Sequence, residues 1–150
     1  MEIVDSENIN EARKKIDKLF QTGNEIVVIA KDSDFNRKIL ENKKVNVLLF
    51  SNFLGNKNRL KQRDSGLNHV LCKIAKENDV SIGIDFSIFI HKNSFQLSHL
   101  LSSTMQNISL CSKYKVKILI FNIGNRDKSE IISFLLTLGM PSYMVNKAFN

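Results

Sequence analysis

The sequence is poor in chain-breaking residues and in cysteine: one proline, six glycines and two cysteines in 150 residues. With Pro141 as the sole proline, no Pro/Gly/Ser-rich linker divides the chain, which reads as one domain spanning residues 1–150. The glycines are scattered. No two stand two residues apart, so the Gly-x-Gly turn that lets a backbone approach a dinucleotide is missing, and no Gly-Lys-Ser/Thr phosphate loop exists. Cys72 and Cys111 form no C-x-x-C pair and read as reduced core thiols of a cytoplasmic protein, not as a disulfide framework or zinc site. His69, His91 and His99 are too dispersed for a His-x-His metal pair. Apolar runs such as Val47-Leu48-Leu49-Phe50 and Ile26-Val27-Val28-Ile29-Ala30 are far shorter than the roughly 20 residues of a membrane span, so no membrane partner is expected. Met1-Glu2-Ile3-Val4-Asp5 is acidic and shows no secretion signal. There is no repeat and no low-complexity tract.

What is abundant is positive charge, with 22 Lys and Arg against 15 Asp and Glu. The excess is local. Residues 31–63 hold nine basic and three acidic side chains, while residues 1–30 hold four and six. A concentrated basic field attracts phosphate backbones, which makes nucleic acid the first partner to consider.

The apolar pattern alternates between helix and strand. Asn8 and Glu11 resemble a capping box, followed by a helix with Ile9, Ala12, Ile16, Leu19 and Phe20 on one face and Gly23 at its close. Strands are expected at Ile26–Ala30, Val45–Phe50, Val80–Phe86 and Lys117–Asn122, with a fifth candidate at Glu2–Val4. Helices are expected from Ser33 to Asn42, with Phe35, Ile39 and Leu40 inward, and around Leu67–Ala75, with Asp64 or Ser65 as N-cap. Two more follow: one from Asn93 or Ser94, with Leu97, Leu101, Met105, Ile108 and Cys111 inward, and one from Asp127 to Leu138, stopped by Gly139 and Pro141. Repeated β-α units imply an α/β fold with a parallel sheet and right-handed crossovers. A full (β/α) barrel typically takes about 250 residues. The alternation therefore fits an incomplete or compressed barrel, or an open layered sheet.

Residues 51–64 break the rhythm. Lys57, Arg59, Lys61 and Arg63 recur at alternate positions, which an extended chain would present on one side. A helix start follows, whose free N–H groups favour anions. Ser65 offers a hydroxyl there and Gly66 permits close approach. This chemistry suits binding of a phosphate or RNA backbone, not its cleavage. An enzymatic alternative, a small metal-dependent barrel phosphoesterase with its phosphate at Ser65–His69, lacks a ligand set. Asp85, near a strand end, has no catalytic partner in sequence, and Asp64 with His69 reads as a helix cap beside a solvent-facing or hydrogen-bonded histidine.

The stretch Arg63-Asp64-Ser65-Gly66-Leu67-Asn68-His69-Val70-Leu71, with Ala75-Lys76-Glu77-Asn78 beyond it, resembles the archaeal ribonuclease P protein component 3 family, that of the eukaryotic thirty-kilodalton RNase P subunit. Upstream, Asn36 to Val45 is similar to the helix and strand entry preceding that motif. Downstream, Leu110–Val116 and Leu138-Gly139-Met140 are similar to later family segments. The resemblance implies a TIM-barrel-like fold. It implies a protein subunit of the endoribonuclease that removes the 5′ leader of precursor tRNA, in which the RNA subunit performs the hydrolysis. Implied partners are the RNase P RNA, protein component 2 and other protein subunits, and precursor tRNA indirectly. Magnesium is implied at the RNA active site, and no cofactor on this chain. Carried over, the motif positions are Arg63, Asp64, Ser65, Gly66, Leu67 and His69. RNA contacts are expected at Lys43, Lys44, Lys57, Arg59, Lys61, Arg63, Ser65 and Gly66, with no catalytic residue. The loop after Asn122 is compressed to Ile123-Gly124-Asn125-Arg126 and little follows Gly139, which favours an incomplete or compressed barrel.

Overall fold

The aliphatic and β-branched runs form strands because each is wanted by two layers at once. In the computed structural model, which describes residues 1–51, 64–90 and 92–149, five strands alternate with helices. The order is β1 (Glu2–Val4), α1 (Ile9–Phe20), β2 (Ile26–Ile29), α2 (Ser33–Leu40), β3 (Val47–Phe50), α3 (His69–Glu77), β4 (Ser81–Asp85), α4 (Ser94–Tyr114), β5 (Ile118–Phe121), α5 (Lys128–Thr137) and α6 (Ser142–Val145). A 3-10 turn, Phe86–Phe89, follows β4.

Every neighbouring pair of strands is parallel, and the sheet order is β1-β2-β3-β4-β5. A doubly wound sheet reverses its strand order at a switch point. Here each crossover steps to the next strand in the same direction, the winding of a barrel wall. β1 and β5 form the two edges of this sheet, so it is an open, barrel-like arc. The Ile120 N–H, on the outer side of β5, donates to the Ala148 carbonyl at 2.9 Å.

Side chains alternate across the arc as the strand period demands. Val4, Ile26, Val28, Leu48, Phe50, Ile82, Ile84 and Ile118 face the helices and join the main core with Ala12, Ile16, Ile39, Leu71, Ile108, Ile131 and Leu135. Full burial of such a side chain is worth about 1.5–3 kcal/mol. On the opposite face Val27, Val47 and Leu49 form a second cluster with Leu119 and Phe121. Gly83 sits in that face between Leu49 and Leu119 in register. A Cβ there would lie 2.8 Å from Leu49 Cδ1, 3.0 Å from Val47 Cγ1 and 3.1 Å from the Phe121 ring, so neighbouring strands fill the space that its side chain would take.

Most expected inward positions are buried, and the departures have physical causes. On α4, Ile108 and Cys111 are buried, but Leu97 and Leu101 are half-buried and Met105 is exposed. Leu100, Thr104 and Asn107 take the inner positions instead. Steps of four residues overrun the 3.6-residue turn by about 40° each, so the 97-101-105 ladder drifts off the core face. Phe20, the last residue of α1, is exposed and lies beneath the Lys44 ammonium, 5.4 Å from ring centroid to Nζ. Val70, which the apolar spacing Leu67, Val70, Leu71, Ile74 and Ala75 places with the amphipathic pattern of α3, is likewise exposed. Asn8 caps α1 by accepting the Asn10 N–H, while the Glu11 carboxylate takes the Ser6 hydroxyl rather than closing a box. Cys72 and Cys111 are free and buried, on α3 and α4. The hydrogen bond with Cys72, together with burial, pushes the Cys111 thiol well above its usual value.

Candidate nucleic-acid interface

In parallel β-α folds the loops that leave the C-terminal ends of the strands carry most functional groups. The segment from Asp64 into α3 lies there, after β3. Its geometry is local. The Asp64 carboxylate accepts the Gly66 N–H at 2.9 Å, and Gly66 takes a left-handed φ of +78°, where a side chain would be strained. Ser65 is buried and donates its hydroxyl to the Leu67 carbonyl at 3.3 Å, and Leu67 drops into the core.

The N-cap of α3 is Asn68, which corrects the expectation of Asp64 or Ser65. Its side-chain oxygen accepts the Val70 and Leu71 N–H groups at 2.9 and 3.0 Å. The Asp-Ser-Gly turn thus precedes the helix instead of capping it. His69 is the first residue of α3 and is exposed.

The residue that anchors this turn is Asn36, inside α2 and fully buried. Its amide donates to the carbonyls of Lys31 and Gly66 at 3.0 and 3.1 Å, and its oxygen accepts the Lys31 N–H at 2.8 Å. One side chain therefore ties the β2–α2 and β3–α3 connections together. Sequence reasoning placed Asn36 only within a family-like segment. The available signal was an amide at a position that α2's own periodicity turns inward, between Phe35 and Ile39.

Beside it, the half-buried Lys31 pairs its ammonium with the exposed carboxylates of Asp5 and Glu7 at 2.8 and 2.7 Å. Burial works against its charge, but the hydrogen bonds and charges of Asp5 and Glu7 outweigh it and hold the Lys31 pKa above the usual lysine value. Asp85, at the end of β4, accepts the Ser87 N–H and hydroxyl at 2.9 and 2.6 Å on one oxygen and the Asn122 amide at 2.9 Å on the other. It braces β4 to the residue after β5. Among the described residues no three His, Cys, Asp or Glu side chains come together as a metal-holding group.

The residues expected to contact RNA divide by position. Ser65 and Gly66 are buried in the turn held by Asn36. Lys57, Arg59, Lys61 and Arg63 lie outside the described residues, as does His91. Lys43 and Lys44 precede β3, at the N-terminal end of the sheet, and so stand apart from the turn. Lys43 is exposed, whereas Lys44 pairs with Asp17 at 2.7 Å.

No protein-family model matches the chain. Curated relatives do match it. Ribonuclease P protein component 3 of Methanococcus maripaludis strain C7 is 25% identical over 145 residues, covering 93% of this chain and 60% of the relative. That of Methanosarcina acetivorans is 32% identical over 114 residues, covering 76% and 44%, and that of Methanococcoides burtonii is 31% identical over 137 residues, covering 88% and 51%. The chain thus spans 44–60% of the length of these curated relatives. Its fold is that of a chain in the cryo-EM structure of archaeal ribonuclease P with mature tRNA, with TM-score 0.78, 23% identity, and coverage of 97% of this chain and 62% of that one. The resemblance read from Arg63 to Leu71 therefore extends over most of the sequence, and the barrel-like fold it implied is the one observed. No helix of the described residues is long and apolar enough to cross a membrane.

Proposed function

From its similarity to archaeal ribonuclease P protein component 3, we propose that this chain is, or is part of, a protein subunit of ribonuclease P, the ribonucleoprotein endoribonuclease that removes the 5′ leader of precursor tRNA. The observation that carries the reading is the match of 93% of the chain to component 3 of M. maripaludis. The RNA performs the hydrolysis with magnesium at its own active site, and this chain contributes no catalytic residue. Residues 1–150 act as one domain that binds the RNase P RNA beside component 2 and other protein subunits, touches precursor tRNA indirectly, and works in the cytoplasm.

Its contribution is electrostatic. Phosphates repel one another, and lysines and arginines placed between them let RNA helices pack while counterions are released. Lys57, Arg59, Lys61 and Arg63 supply that charge after β3, Lys43 and Lys44 before it. Ser65 and Gly66 set the path of the backbone into α3, along which the basic segment is joined to the sheet.

The test is purification of the tagged protein from its native cell, with sequencing of the RNA that accompanies it and an assay of precursor-tRNA cleavage. Co-purified RNase P RNA with 5′-leader activity is the expected result. Protein free of such RNA and activity would reduce the likeness to shared fold. Replacing Lys57, Arg59, Lys61 and Arg63 by Ala is expected to weaken RNA binding and flatten its salt dependence. Unchanged binding at every ionic strength would remove that segment from the interface.

A further inference from the structure

Three chain segments, which bring four lysines, converge at the N-terminal end of β5: the last turn of α3, the stretch from the C-cap of α4 into β5, and the turn after α6. Lys76, Lys115, Lys117 and Lys147 line a cavity of about 440 Å³, with Asp79 and Tyr143 in its wall. Among the described residues none of the four ammonium groups lies within ion-pair distance of a carboxylate. The charge map of the sequence places the basic excess elsewhere, since residues 64–150 hold nine basic and six acidic side chains. Folding gathers four of those nine around one cavity.

Like charges held together repel, so the arrangement needs a reason. Helix dipoles favour cations at the C-terminal ends of α3 and α4, which accounts for Lys76 and Lys115. They account for neither Lys117 nor Lys147. Lys115, the C-cap of α4, ends that helix at φ +57° and ψ +38°, with the Val116 N–H closing on the Cys111 carbonyl at 2.9 Å. That is a conformation glycine takes freely and lysine does not. Asp79, across the cavity, is also left-handed, at φ +55°. Tyr143 is 56% exposed and lines the same cavity, so an aromatic side chain open to a ligand stands with the four lysines.

We infer that this cavity is a second nucleic-acid site, which takes the sugar-phosphate backbone of unpaired RNA on its four lysines and stacks a base on Tyr143. Lysine ammoniums act as point charges toward phosphate whatever the sequence, and an aromatic ring accepts any base. Cations drawn from three separate segments suit a chain of phosphates better than a single anion. The site lies at the opposite end of the strands from the Asp64–Leu67 turn and at the same end as Lys43 and Lys44. It rests on the RNA-binding reading above and adds a second place of contact.

The test uses the full chain and a fluorescein-labelled single-stranded RNA of mixed sequence, titrated by anisotropy over a range of KCl concentrations. Replacing Lys76, Lys115, Lys117 and Lys147 together by Gln is expected to cut affinity about tenfold or more at low salt. The same change should reduce the log–log salt slope by about 2–3, at about 0.7 per phosphate contact. Lys115→Gly separates binding from folding: it should hold or raise the melting temperature while weakening RNA binding. Lysine acetylation read by mass spectrometry should show RNA protecting the four cavity lysines and sparing none of Lys14 and Lys18, which are exposed on α1. Wild-type binding that the fourfold variant reproduces in affinity and slope, with no protection, would overturn this site and leave the broader reading standing. Wild-type protein that binds no RNA at any salt would overturn both. Equal protection by inorganic phosphate would make the cavity a small-anion site and end the backbone assignment.

Discussion

At the scale of single residues, a buried amide and a half-buried ammonium at the C-terminal end of the sheet do opposite kinds of work. Asn36 saturates three backbone groups, and removing it strands them in the interior. Asn36→Ala is expected to cost about 1–3 kcal/mol in urea unfolding, and a cost within a few tenths of zero would show that water replaces the amide. Lys31 instead links β2 to the acidic β1–α1 loop through its charge. Its folded pKa lies above the unfolded value of 10.5. The stability this contributes is therefore complete below pH 10.5 and is lost as pH rises through the folded pKa. Lys31→Met should destabilise the protein at neutral pH, with the gap to wild type closing in alkali. A gap independent of pH would assign the loss to packing. Asn36's role was illegible in sequence because its partners, Lys31 and Gly66, lie at different distances along the chain, and only the docking of two loops brings them together.

At the scale of elements, helix ends and strand faces carry the information. Asn68 holds two N–H groups of α3, and Asn68→Ala should cost about 1 kcal/mol and lower the melting temperature accordingly. Asp64 or Ser65 looked as eligible as Asn68, since all three are good caps, and the choice depends on the left-handed turn at Gly66. Strands were legible because they are wanted on both faces and so read as continuous apolar runs. α4 was less so: it carries two apolar rows, and which one faces the core depends on how the helix lies against α3. Gly83 shows what only packing reveals. Gly83→Val should destabilise by about 2–3 kcal/mol, and adding Leu49→Ala should recover part of that loss, because the two side chains compete for one space. Simple additivity of the two changes would refute the competition.

At the scale of the whole molecule, the alternation of elements specified a parallel α/β fold but left barrel-like and layered arrangements equal. Strand order separates them, and order is a property of long-range pairing that local patterns do not contain. The same gap explains the lysine cavity, whose members are scattered from α3 to the turn after α6 and meet only after folding. The main core joins the six helices of the described residues to one face of the sheet, so thermal transitions followed by far-ultraviolet circular dichroism and by tyrosine fluorescence should coincide. Two separated transitions would divide residues 1–150 into independent units.

Strand order also has a temporal side. Because each strand pairs with the one that precedes it in the chain, a βα unit finds its docking surface already made when it emerges from the ribosome. The arc can be laid down unit by unit during synthesis, without waiting for its last strand to appear before the first can pair.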